Sequence, residues 1–85
     1  MIRAFFTCPT IYETCLLATT IRSFFNRHSH YDYDVTEEKL SICLAIPDVF
    51  DFFEVQPLTR QLFDYINARE ISYSVISYEF EKKQK

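Results

Sequence analysis

Leu40-Ser41-Ile42-Cys43-Leu44-Ala45-Ile46-Pro47-Asp48 is the stretch on which the fold turns. Leu40, Ile42, Leu44 and Ile46 fall on one side of an extended chain, and the residues between them, Ser41, Cys43 and Ala45, are small. A strand this apolar belongs in the middle of a sheet. Pro47 and Asp48 end it.

Upstream, Thr36-Glu37-Glu38 reads as a polar turn. Before it, His28, His30, Asp32 and Asp34 alternate with Ser29, Tyr31, Tyr33 and Val35, the period of a strand with one wet face. Farther back, Ile2 to Thr7 is a β-compatible apolar run closed by Cys8-Pro9. Thr10 and Glu13 have capping-box spacing. Ile11, Thr14, Cys15, Ala18, Ile21, Phe24 and Phe25 then recur at intervals of three and four, which predicts a helix to about Asn26.

Downstream, Val49 to Val55 fits either helix or strand. Pro57 suits the first turn of a helix whose face carries Leu58, Leu62, Tyr65 and Ile66, running to about Arg69. Ile71, Tyr73 and Val75 and then Ile76, Tyr78 and Phe80 form a long β segment. Its apolar face switches between Val75 and Ile76, as a β-bulge would make it do. Either reading of Val49 to Val55 leaves an α+β chain in the order β-α-β-β-α-β. The expected architecture is a ferredoxin-like split βαβ sandwich, an antiparallel sheet with two helices on one face.

The 85 residues suit a single domain over 1–85, with the basic tail 81–85 frayed. Nine Phe and six Tyr bring the aromatic share to 18%, more rings than so small an interior readily houses. The uncovered sheet face is their expected outlet, as a partner-binding or self-associating surface, so a homodimer or other homo-oligomer is expected too. Apolar runs fall far short of the roughly 20 residues that span a bilayer, and the amino terminus lacks a signal-peptide core. Cys8, Cys15 and Cys43 form no Cys-x-x-Cys pair and read as reduced thiols, so a cytoplasmic protein with no membrane partner is expected. The chain has no glycine, which removes phosphate-loop and dinucleotide-binding fingerprints.

Charge is uneven. Asp32, Asp34, Glu37, Glu38, Asp48, Asp51, Glu54 and Asp64 face only Lys39 and Arg60 between His30 and Asp64, a formal −6, while the rest of the chain carries +3. An acidic stretch with interleaved rings suits a basic protein partner and disfavours nucleic acid, whose phosphates need clustered Lys and Arg. Nothing matches the glycine-containing aromatic signatures of RNA-recognition sheets. The expected partner-binding residues are Tyr31, Asp32, Tyr33, Asp34, Glu37, Glu38, Asp48, Asp51 and Glu54.

Three chemical alternatives accompany this reading. The His28, His30, Asp32, Asp34 row offers ligands suited to zinc or manganese, beside its plainer role as a solvated strand face. His28-Ser29-His30, Phe6-Thr7 and Tyr65 resemble the parts of HUH-type rolling-circle nucleases. That resemblance implies a ferredoxin-like sheet, a metal held by the two histidines and a nucleophilic Tyr65. Serine stands between the histidines where that family has a bulky apolar residue, and no lysine follows Tyr65 within a turn. Cys8, just before a helix, sits where the helix dipole lowers a thiol pKa.

The leading expectation is a non-enzymatic interaction module without cofactor, metal or catalytic residues, with two alternatives: a small metal-dependent nuclease using the His/Asp row, and a nucleic-acid-binding ferredoxin-like domain. Composition alone suggests a small virus- or phage-type accessory protein, an inhibitor or modulator of a host protein.

Overall fold

The computed structural model describes residues 1–28, 31–49 and 51–80. Six elements follow in order: β1 (Ile2–Thr7), α1 (Ile11–His28), β2 (Asp34–Glu37), β3 (Ser41–Ile46), α2 (Phe52–Asn67) and β4 (Ser74–Phe80). The strands form one antiparallel sheet in the order β2-β3-β1-β4. The expected α+β class, an antiparallel sheet with two helices, holds.

Alternation in β1 and β3 creates the core. Ile2, Ala4 and Phe6 lie opposite Ile46, Leu44 and Ile42, and all six are buried. They share one cluster with Leu17, Ala18, Ile21, Phe24 and Phe25 of α1 and with Val55, Leu62 and Ile66 of α2, so both helices pack on that side. At about 25 cal/mol per Å², burying each large side chain contributes roughly 1.5–3 kcal/mol against its exposed state.

The helix limits have local causes. The Thr10 side-chain oxygen accepts from the Glu13 N–H at 3.1 Å, as an N-cap should. The helix runs two residues past Asn26, through Arg27 and His28, which lie at the terminus that favours positive charge. Ile11 and Cys15, expected on the core face, are exposed, and Leu17 is buried. The ambiguous stretch resolves as the entry to α2. Asp51 caps it, its carboxylate accepting from Phe53 N–H at 3.0 Å, and Val49 and Val55 are buried. Pro57 therefore lies in the second turn, not the first, because the helix starts five residues earlier.

The strand expected from His28 begins only at Asp34, since His28 belongs to α1; Ser29 and His30 lie outside the described residues. Thr36 and Glu37 pair with Cys43 and Ile42 instead of turning. The turn comes two residues later, closed by Glu38 N–H to the Ser41 carbonyl at 2.9 Å, with Leu40 at the tip and not in β3. In β4, Phe6 pairs with Val75 and Phe5 with Ser77, so the register skips Ile76 where the apolar pattern switches face. Ile71 and Tyr73 precede the strand.

No helix among the described residues is long and apolar enough to cross a membrane.

Candidate functional site

The expected acidic and aromatic site is divided by the sheet. Asp34 lies opposite Ala45 near the end of β3, whereas Glu37 lies opposite Ile42 beside the hairpin. They are three residue steps apart along the strand, roughly 10 Å. Asp32, Asp48, Asp51 and Glu54 belong to the Asp34 end, in the connections around the start of β2 and the entry to α2. Glu37 and Glu38 belong to the other.

Several of these residues already serve the fold. Tyr31 donates to Glu54 Oε1 at 2.8 Å, tying the chain before β2 to the first turn of α2. That bond, more than its slight desolvation, holds the Tyr31 phenol above its ordinary pKa. Tyr33 stacks on Phe25 with centroids 4.8 Å apart and donates to Asn26 Oδ1 at 3.0 Å. Asp51 is a helix cap, and Glu37 lies 3.6 Å from Arg22. Asp32, Asp34, Glu38 and Asp48 are exposed.

Among the described residues, the rings do not collect on the uncovered sheet face. Phe6, Phe24 and Phe25 are buried, and Tyr31, Tyr33, Phe63, Tyr65, Tyr73, Tyr78 and Phe80 pack against the core. Phe5 is the aromatic whose register puts it on the open side, in a row Thr36, Cys43, Phe5, Ser77 across the four strands. The adjoining row is Asp34, Ala45, Arg3, Glu79. A shallow concavity of about 260 Å³ lies on this side, bordered by Phe5, Thr36, Glu38, Ser41, Cys43 and Ile76.

Among the described residues, most of the exposed large apolar side chains lie at one end of the molecule, with Phe53 apart from them in the first turn of α2. Ile11, Tyr12 and Leu16 stand on the first two turns of α1, Leu40 on the β2–β3 hairpin, and Val75 and Ile76 near the start of β4. The Cys8 N–H, bonded to the Leu40 carbonyl at 3.0 Å, joins the hairpin to the segment that leads into α1. Glu13 Oε2, accepting from Ser72 N–H at 2.8 Å, joins α1 to the segment that leads into β4. Tyr12 is 72% exposed and Ile76 64%. Sequence periodicity assigned Ile11 to the core and said nothing of Tyr12 and Leu16; the gap between the helical face and these outward positions was the available signal.

The chemical alternatives fare differently. Cys8 is buried, and desolvation raises its thiol pKa, the reverse of the activation expected from its place before α1. Burial likewise raises Cys43, with Asp34 and Glu79 adding to the shift and Arg3 opposing it. His28 lies on a helix, so the expected His28, His30, Asp32, Asp34 strand row does not form, and His30 is outside the described residues. The His28 and Tyr65 rings are 5.5 Å apart. Tyr65 also packs on Phe24, shares a 3.2 Å hydrogen bond with the Ser23 hydroxyl, and lies under the Arg69 guanidinium at 3.6 Å. Among the described residues, no group of three or more His, Cys, Asp or Glu side chains could hold a metal ion.

No protein-family model, curated protein or solved structure matches this chain.

Proposed function

We propose that the chain is a non-enzymatic protein-interaction module of the split βαβ, ferredoxin-like type, which docks a protein partner through its apolar end. The placement of β1 and β3 at the centre of the sheet, with β2 and β4 at its edges, supports the architectural part of this reading.

One observation carries the functional part: among the described residues, six of the seven exposed large hydrophobic side chains, all but Phe53, gather where the α1 entry, the hairpin and the β4 entry meet. Scattered apolar residues need no explanation, but a gathered set marks a contact surface. Glu37 and Glu38 beside it favour basic groups around the rim of the partner's surface, and the acids at the far end add long-range attraction. The partner is thus expected to present apolar side chains ringed by Lys or Arg.

The test is affinity capture with the full chain, followed by titration of the captured protein against Tyr12→Lys, Leu40→Lys and Asp48→Lys. Tyr12→Lys should weaken binding about 30-fold or more, as loss of an interface aromatic anchor does. Asp48→Lys, at the opposite end, should change affinity only a few-fold through charge. Equal affinity for wild type and both apolar-end variants would overturn the proposal.

A further inference from the structure

The uncovered side of the sheet carries more acid than base, and one of its acids is unanswered. Alternation puts Asp34 and Thr36 on that side and continues through Glu38, whose N–H bonds to the Ser41 carbonyl at 2.9 Å. Val35 and Glu37 point toward the helices, where Glu37 meets Arg22. Among the described residues of the sheet and hairpin, the open side therefore presents Asp34, Glu38 and Glu79 against Arg3. Arg3 lies directly opposite Glu79 and in the same row as Asp34. Glu38 is four residue steps from Asp34, roughly 13 Å along the chain. Its carboxylate has no hydrogen-bond or ion-pair partner among the described residues. Glu38 is also the single charged residue bordering the concavity of about 260 Å³ on this side. Thr36, Ser41 and Cys43 are small, and the larger Phe5 and Ile76 bound the hollow they leave.

We infer that this hollow receives one arginine side chain of the protein partner, the guanidinium meeting the Glu38 carboxylate and the rest of the side chain lying against Phe5 and Ile76. A guanidinium suits the pair of groups better than an ammonium does, because it forks onto a carboxylate through two N–H groups and stacks on an aromatic ring. An acidic side chain is repelled by the excess of carboxylates on this side, and a purely apolar one desolvates Glu38 without giving it a partner. The placement rests on the docking reading above and gives its basic rim one specific residue, set beside the apolar end through Ile76.

The probe is N-acetyl-arginine amide, titrated at low salt into the isotope-labelled full chain and followed by amide NMR signals, with the neutral N-acetyl-citrulline amide as its comparison. The arginine compound should shift the amides of Phe5, Thr36, Cys43 and Ile76 saturably in the millimolar range, and the citrulline compound should bind at least about fivefold more weakly. Glu38→Gln should weaken the arginine compound by about the same factor, whereas Asp48→Asn, at the opposite end, should leave it unchanged. The wild-type comparison of the two compounds requires no variant to fold. Equal binding of the two compounds, silence at these four amides up to tens of millimolar, or unaltered affinity in Glu38→Gln would overturn the inference. So would shifts at the same amides that follow protein concentration without the probe, which assign the hollow to a second copy. Equal partner capture by Tyr12→Lys, Leu40→Lys and wild type, scored separately, bears on the docking proposal and not on the response to the probe.

Discussion

Glu13 Oε2 accepts a hydrogen bond from the backbone N–H of Ser72 at 2.8 Å, across 59 residues of chain. Local rules would send this carboxylate back to the Thr10 N–H as the second half of a capping box. It reaches forward to the chain entering β4, while the Thr10 side chain still caps the Glu13 N–H. A local motif thereby becomes a tertiary tie, and the tie sets the apolar turns of α1 beside the start of β4.

Removing either half of this arrangement should weaken the fold. Thr10→Ala loses the cap and should cost about 1 kcal/mol. Glu13→Ala loses the tie to Ser72 and should cost about 0.5–1.5 kcal/mol, more than a bare surface substitution. Urea melts of the two variants check both figures, and each kcal/mol should lower Tm by about 4–8 °C in a domain of this size. A Glu13→Ala variant as stable as wild type would mean that the Ser72 bond contributes nothing net.

Glu70 has φ of 56°, in the left-handed region just past the C-cap of α2, a conformation for which helix ends usually use glycine. A chain without glycine must accept the Cβ penalty there. Glu70→Gly should therefore stabilise the protein by about 0.5–1 kcal/mol, net of the extra freedom glycine has when unfolded. Glu70→Val should destabilise it by more than that. Thermal unfolding of the pair decides the sign.

Stability should fall in alkali. Tyr31, Tyr73, Cys8 and Cys43 all have pKa values raised by folding, Tyr31 chiefly through its bond to Glu54 and the other three chiefly through burial. The folded chain therefore binds protons more tightly than the unfolded chain. This contribution is fully present below the ordinary values of 9.0 for the thiols and 10.0 for the phenols, and is lost as pH rises through the higher folded values. Urea midpoints should hold steady from pH 7 to about 8 and decline toward pH 11. Tyr31→Phe should remove only the part that depends on Glu54.

The three thiols should react in order of exposure. Cys15 is exposed on α1, Cys43 is half-buried on the open sheet face, and Cys8 is buried. Disulfide exchange with an aromatic reagent at pH 8 should label Cys15 first. Cys8 should wait for unfolding, because both its access and its thiolate fraction are reduced. Fast labelling of Cys8 in the folded protein would contradict its burial.

Order and spacing along the chain were enough to find most of the elements. Ile2–Thr7 and the strand ending at Ile46 follow from alternation, the start of α1 from Thr10, and the skip at Ile76 from a change of apolar face, since each is written in neighbouring residues. Boundaries set by competition were misread. The α1 helix continues through Arg27 and His28, and the turn after β2 moves to Glu38–Ser41, because pairing of Thr36 and Glu37 with β3 outweighs their polar, turn-like character.

The surface is where reading along the chain fails most. The acidic residues fall within one segment of the sequence, yet the hairpin carries Glu37 and Glu38 to one end of the sheet and leaves Asp34, Asp48, Asp51 and Glu54 at the other. Tyr12, Leu40 and Ile76 are far apart in sequence and come to one end because β1 runs antiparallel to both β3 and β4. Sequence by itself determined which segments extend and which coil, since periodicity and capping act over a few residues. Only the tertiary structure decided which side chains remain outside, because exposure depends on what packs against a residue, and its neighbours in space come from other elements.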